Sequence, residues 1–165
     1  WGGDFYKIKN ALYCLKAFNH QFAISIGTGA VSGLLTQGNT FIFQNIKKPP
    51  LAPSAALFPI VWTVLYILMG ISAYLIYAAD SDEKCQALWI YGIQLAINFF
   101  WTIIFFNLQN FLFAFIWILL LWVSVLFMLM AFRKINKLAA QMQIPYFIWI
   151  TFAAYLSAGI WLLNR

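Results

Sequence analysis

The chain has 165 residues, of which 64% are hydrophobic and only 8% are charged, and its mean hydropathy is +0.83. Soluble domains usually contain about 45–50% apolar and about 25% charged residues. The composition therefore excludes an ordinary soluble domain and predicts an integral membrane protein. No segment alternates polar and apolar residues as the strands of a transmembrane barrel do, so we predict helices.

The ten lysines and arginines outnumber the four acidic residues, which gives a net charge of +6. A basic excess can indicate nucleic-acid binding, but these cations stand at the ends of apolar segments, where they orient membrane helices. Since no basic patch accompanies an element that could read a groove, we predict no nucleic-acid partner.

Residues 1–17 are predicted to form an N-terminal interfacial segment. Phe5, Ile8, Leu12 and Leu15 recur at spacings of three and four, which is typical of a short helix that lies in the headgroup region. The first three residues, 1–3, are left out of the fold prediction.

Five uncharged segments follow, at residues 18–36, 57–79, 85–106, 111–132 and 145–163. About 20 residues of helix suffice to cross the hydrocarbon core of a bilayer. Residues 18–165 are therefore predicted to form an all-α transmembrane bundle of five helices. A proline-rich loop joins helices 1 and 2, because Pro49, Pro50, Pro53 and Pro59 disfavour regular helix before the second segment.

The first span contains a row of small residues, Ser25, Gly29 and Gly33. In lipid such residues allow two helices to approach closely. We expect this face to pack inside the bundle, and a homodimer interface is the alternative.

Lys and Arg are concentrated in the N-terminal segment and in a predicted cationic loop that contains Arg133, Lys134 and Lys137. The positive-inside bias places these segments, and hence the N-terminus, in the cytoplasm of a multi-pass membrane protein. Ser81 or Asp82 is predicted to cap the third helix.

The residues offer little chemistry for catalysis or metal binding. His20 is the sole histidine, and Cys14 and Cys85 are isolated. Because no span contains Asp, Glu, Lys or Arg, ion pumps and proton-coupled carriers are disfavoured. We predict no catalytic residue, metal site or cofactor.

Polar residues of the third span lie on one face. Gln94 and Asn98 are four residues apart, with Trp101 beside them. These amides could form hydrogen bonds between helices or contact a ligand inside the bundle, and the sequence favours neither.

Several motifs resemble the translocator protein family (TspO/MBR), in its bacterial type. They are Lys48-Pro49, Trp62-Thr63, Leu65-Tyr66, Met69-Gly70, Gln94 with Asn98 and Trp101, Pro145-Tyr146, Trp149 and Tyr155-Leu156. The family pattern has tryptophans where this chain has Leu51 and Ala56.

The resemblance implies a membrane receptor for tetrapyrroles such as protoporphyrin IX and for related hydrophobic ligands. It implies a site inside the bundle lined by Trp62, Asn98, Trp101, Trp149, Ala153 and Leu156. We add the hypothesis that Lys47 or Lys48 pairs with the porphyrin propionates. The family is also associated with light-dependent porphyrin breakdown, for which Trp62 and Trp149 are candidates.

Two other functions fit the same sequence. One is a stress-response regulator whose ligand controls a partner protein, and the other is a carrier that moves porphyrin or lipid across the membrane. Internal repeats would favour a carrier, and we find none in the sequence.

Overall fold

The computed structural model describes residues 19–35, 45–54 and 56–165. These residues form helices and contain no strand within the described ranges, which confirms the all-α class. The predicted interfacial segment, residues 1–17, lies outside them. The proline-rich loop is only partly covered, and we refer to its described residues 47–54, which have no regular helix, as the proline segment.

Helix α1 covers residues 19–35. It is followed by α2 (Leu57–Ala78), α3 (Lys84–Phe106), α4 (Phe111–Ile135), the short α5 (Lys137–Met142) and α6 (Ile144–Asn164). Four helical stretches are long and apolar enough to cross a membrane: α2, α3, α4 and the continuous stretch Lys137–Asn164. The helix at residues 19–35 is a further helix beside these four stretches.

The polar cluster between the third and fourth spans ends one helix and starts the next. Helix α3 ends at Phe106, and the side chain of Asn110 accepts a hydrogen bond of 3.1 Å from the backbone N–H of Phe113 in the first turn of α4. Asparagine is a favoured N-cap because it satisfies such a free N–H group. The turn between the two helices therefore follows directly from local chemistry.

The predicted cationic loop is wrong in part. Helix α4 continues to Ile135, so Arg133 and Lys134 belong to its last turn, and Lys137 already begins α5. Arginine and lysine are good helix formers, and a cation near the C-terminus of a helix is stabilised by the helix dipole. The chain turns instead at Asn136, whose side chain caps α5.

The predicted cap of α3 is also wrong. The capping position is Glu83, and no side chain caps the helix there. Ser81 does contribute, because its hydroxyl accepts a hydrogen bond of 3.3 Å from the backbone N–H of Glu83.

Small residues allow α1 to lie close to α2. A Cβ atom added at Gly29 would be 2.5 Å from the ring of Tyr66, and one added at Gly70 would be 3.1 Å from the Cα atom of Phe22. The hydroxyl groups of Ser25 and Tyr91 share a hydrogen bond that joins α1 to α3. The face that carries Ser25 and Gly29 thus packs within the chain.

The remaining helices pack mainly through α4, which contacts α3 and α6 along its length. The indole N–H of Trp117 donates a hydrogen bond of 2.8 Å to the backbone carbonyl of Ile97, which fixes α4 against α3. Helix α2 is held to α5 by the buried hydroxyl of Ser72, which donates to the carbonyl of Ala139 at 2.8 Å. In the described part of the chain, α2 and α6 make few close backbone contacts, so side chains fill the space between them.

Candidate functional site

Aromatic rings meet around Trp62 between α2, α3 and α6. The centroid of the Trp62 ring is 5.6 Å from that of Tyr66, 6.5 Å from that of Trp101 and 6.3 Å from that of Tyr146. Trp62 and Tyr66 are one helical turn apart, so both point to the same side of α2. The cluster presents flat, polarisable surfaces of the kind that stack on another ring.

Two fully buried amides of α3 lie beside this cluster. The side-chain N–H of Asn98 donates a hydrogen bond of 3.0 Å to the hydroxyl of Tyr66, and the carbonyl of Gln94 accepts one of 2.8 Å from the hydroxyl of Tyr146. The other end of each amide, Oδ1 of Asn98 and Nε2 of Gln94, is buried without a partner. Each amide has one tyrosine hydroxyl as its hydrogen-bond partner. If the amide group were turned by 180°, its oxygen and nitrogen would exchange places, and one of the two would still be unpaired.

Two indole N–H groups add to these unpaired atoms. Trp101 is 3% exposed, and its Nε1 has no hydrogen-bond partner. Trp149 is half-buried, and its Nε1 is likewise buried and unpaired. The Trp149 ring lies 5.7 Å from Phe58 at the start of α2, centroid to centroid. Tryptophan N–H groups usually have a hydrogen-bond partner when they are buried. These two could therefore donate hydrogen bonds to a ligand among the aromatic rings.

One face of α6 continues the cluster along the bundle. Trp149, Ala153 and Leu156 follow at spacings of four and three, so they lie on one side of the helix. Ala153 and Leu156 are each 3% exposed. Ser157 next to them is also buried, and its hydroxyl has no partner.

The proline segment is fixed along the C-terminal half of α6. The side chain of Asn164 bonds both backbone groups of Lys47, accepting from its N–H at 3.1 Å and donating to its carbonyl at 2.9 Å. The hydroxyl of Tyr155 donates to the carbonyl of Pro50 at 2.8 Å. Between these bonds Pro49 rests on Gly159, where a Cβ atom would be 2.6 Å from the proline Cβ.

The predicted site residues therefore fall into two groups. Trp62, Asn98, Trp101 and Trp149 lie in or next to the aromatic cluster, whereas Lys47 and Lys48 are exposed at the far end of α6. Asn164, which holds Lys47, is about 22 Å from Trp149 along the helix axis, at 1.5 Å per residue. Ala153 and Leu156 lie between the two groups.

Tyr66 and Tyr146 belong to the cluster, although the sequence did not single them out as site residues. Tyr66 could have been found, because it stands four residues after Trp62 and so shares its face of α2. Tyr146 reaches the cluster from α6, and its pairing with Gln94 joins residues 52 positions apart. In the described ranges no group of three or more His, Cys, Asp or Glu residues could hold a metal ion.

Comparison with known proteins identifies the family of the chain. The model of the TspO/MBR family matches residues 21–162, which include α2, α3, α4 and nearly all of α6. The chain belongs to the TspO/MBR family. It is an integral membrane protein, as its long apolar helices and its family both indicate.

The matching relatives include proteins from bacteria and from animals. The chain is 34% identical to protein CrtK of Rhodobacter capsulatus over 91% of its own length and 94% of the relative. It is 32% identical to the tryptophan-rich protein TspO of Chlorobaculum tepidum, over 76% of this chain and 80% of that protein. It is also 32% identical to the translocator protein of Ovis aries, over 74% and 75% of the two chains.

Proposed function

We propose that the protein is a membrane receptor for tetrapyrroles such as protoporphyrin IX and for related flat, hydrophobic ligands, which bind in the bundle between α2, α3 and α6. The observation that carries this proposal is the set of unpaired polar atoms on Gln94, Asn98, Trp101 and Trp149 among aromatic rings. An unpaired buried polar group costs about 1–3 kcal/mol, so a ligand that pairs with it gains that free energy.

The packing of the helices supports this position for the ligand. The contacts between α2 and α6 are made by rings, such as Phe58 with Trp149 and Trp62 with Tyr146. A rotation of these side chains can admit a flat molecule, whereas closely packed backbones could not separate without moving whole helices. A site of this kind, apolar with a few polar groups, is typical of small-molecule pockets.

The chemistry of the ligand follows from the same residues. The large ring system would stack on Trp62 and Trp149, and the amides of Gln94 and Asn98 would pair with polar atoms at its edge or centre. Because the described spans hold no acidic or basic side chain at mid-depth, a charged group of the ligand belongs at the end of the bundle near the proline segment.

We further propose that five helices cross the bacterial cell membrane, with the helix at residues 19–35 as the first, and that the N-terminus is cytoplasmic. The proline segment would then belong to an outer loop between helices 1 and 2. Arg133, Lys134 and Lys137 lie at one end of the bundle, and Lys47 is bound at the other end, next to Arg165. The cluster of cations at the first end supports a cytoplasmic position for that end.

Titration of protoporphyrin IX into the protein in neutral detergent tests the ligand site. The porphyrin absorption band should change saturably with one site per chain, and Trp62→Phe and Trp149→Phe should each weaken binding roughly 3- to 10-fold, because a smaller ring loses stacking area. Trp89→Phe is the matched control, since Trp89 is 70% exposed on the outer face of α3. Non-saturating change that none of the variants alters would contradict the proposal and would mean that porphyrin partitions into detergent.

A second titration tests the lysines of the proline segment. We expect Lys47→Ala combined with Lys48→Ala to weaken protoporphyrin binding about two- to fivefold at low salt, because exposed ion pairs contribute little and are screened. The effect should shrink when salt is raised to about 0.5 M. Lys134→Ala, at the opposite end of the bundle, is the control. Unchanged affinity in the double variant would rule out pairing of these lysines with the propionates.

A further inference from the structure

A second concave site lies on the outer side of the bundle, away from the aromatic cluster. It is a groove of about 460 Å³ between the last part of α4 and the stretch formed by α5 and the start of α6. Apolar side chains of Leu126, Leu129, Met130 and Ile144 line it, together with the charged side chains of Arg133 and Lys137.

The groove is polar at one end and apolar at the other. One stripe along α4 lines the groove, because Leu129, Met130 and Arg133 stand three, four and seven residues after Leu126. Arg133 lies two residues before the end of α4 at Ile135, and it is the first charged residue after the apolar run of this helix. Leu126 is about 10 Å deeper, at 1.5 Å per residue.

The two cations at the mouth are available to an anion. Neither Arg133 nor Lys137 forms an ion pair or a side-chain hydrogen bond with any residue in the described part of the chain, and both are exposed. No acidic residue lines the groove among the described residues. Arg133 offers a planar fork of donors, and Lys137 adds a mobile point charge, a combination that suits a phosphate group.

Aromatic side chains lie one helical turn beyond the deep end of the groove, on both α4 and α6. Trp122 stands one turn before Leu126 on α4, and its indole N–H donates to the hydroxyl of Thr151 on α6 at 2.9 Å. Its ring lies 4.9 Å from that of Phe147, centroid to centroid. The groove thus has a cationic mouth and apolar walls, and Trp122 is the first aromatic residue beyond its deep end on α4.

From this geometry we infer that the groove binds an anionic glycerophospholipid of the membrane. The phosphate contacts Arg133 and Lys137, and one acyl chain lies along Leu126, Leu129, Met130 and Ile144 towards Trp122. The cations stand where lipid phosphates lie, and the apolar walls run from there into the hydrocarbon layer, so the groove matches a lipid in both charge and direction. The site is separate from the porphyrin site and does not depend on it.

Quenching of tryptophan fluorescence by brominated lipids tests this inference in the detergent-solubilised full chain. Brominated phosphatidylglycerol should quench a saturable component of the fluorescence that is lost in Trp122→Phe, and brominated phosphatidylcholine should bind less tightly. Loss of each cation should weaken the phosphatidylglycerol affinity roughly fivefold. Arg133→Gln combined with Lys137→Gln should therefore weaken it about 25-fold. Arg133→Lys combined with Lys137→Arg keeps both charges and should retain most of the binding.

Two controls separate a lipid site from other sources of the signal. Lys134→Gln removes a neighbouring exposed cation outside the groove and should change the affinity less than about twofold. Soluble glycerol phosphate should not displace the lipid, because it lacks the acyl chain. An equal loss in Lys134→Gln, equal affinity for the two lipids, or displacement by glycerol phosphate would overturn the inference.

Discussion

Asn98→Leu is expected to weaken protoporphyrin binding by roughly tenfold or more, about 1.4 kcal/mol, with little effect on stability. The free Oδ1 of Asn98 is the buried acceptor that we assign to the ligand, and leucine has a similar size but cannot accept a hydrogen bond. Hydrogen bonds between membrane helices contribute about 0.6 kcal/mol on average, so loss of the bond to Tyr66 should change the free energy of unfolding by less than about 1 kcal/mol. Absorption titrations and unfolding in sodium dodecyl sulfate measure the two quantities.

This variant distinguishes the two roles that the sequence leaves open for the amides of α3. Thr102→Val is the control, because Thr102 is on the same helix and its hydroxyl already bonds the carbonyl of Asn98 at 3.2 Å. A ligand role predicts weaker binding in Asn98→Leu and nearly wild-type binding in Thr102→Val. Unchanged porphyrin affinity together with a clear loss of stability would instead show that the amide serves only to join helices.

Gly159→Leu is expected to detach the proline segment from α6. Any side chain at this position meets Pro49 at 2.6 Å, and overpacking of this kind costs about 1–3 kcal/mol. Gly159 lies about one turn after Leu156 on α6, so we expect the segment to help retain a ligand bound in the proposed site. We expect faster release of porphyrin, about 5- to 100-fold weaker binding, and increased proteolysis within residues 45–54.

The control for this variant is Gly92→Leu. Gly92 is exposed on α3, and among the described residues no side chain of another helix lies within 4 Å of a Cβ built there. It should leave both porphyrin release and proteolysis of residues 45–54 unchanged. Wild-type release rates in Gly159→Leu, with the segment cleaved faster, would show that the segment does not retain the ligand.

The long helices could be predicted because the bilayer restricts the choices. Uncharged segments of about 20 residues have few alternatives to a membrane-spanning helix, and Asn110 marks the turn between α3 and α4 through its capping bond. The end of α4 differs from the prediction because charge alone favours a loop at Arg133 and Lys134. Their helix propensity and the helix dipole keep them in the last turn.

The site could be predicted only in part. Periodicity places Gln94, Asn98 and Trp101 on one face of α3, and the family resemblance adds Trp62 and Trp149, but neither reveals which side chains of other helices they meet. The hydroxyls of Tyr66 and Tyr146 pair with the amides across 32 and 52 positions of the sequence. Such pairings depend on how whole helices pack, which no local pattern determines.

The same reason explains the docking of the proline segment. Its bonds to α6 join residues 117 and 105 positions apart, between Lys47 and Asn164 and between Pro50 and Tyr155. The prolines indicate a stiff segment, because each fixes its own backbone angle and restricts the residue before it. They do not indicate the surface on which the segment rests, which depends on the absence of a side chain at Gly159.

A structure of the protein with saturating protoporphyrin IX would test the proposed site most directly. We predict that the ring lies between Trp62 and Trp149, with a polar atom within hydrogen-bond distance of Asn98 or Gln94. Porphyrin bound on the outer surface of the bundle, with the Trp62 ring still packed against Tyr66 and Tyr146, would contradict it.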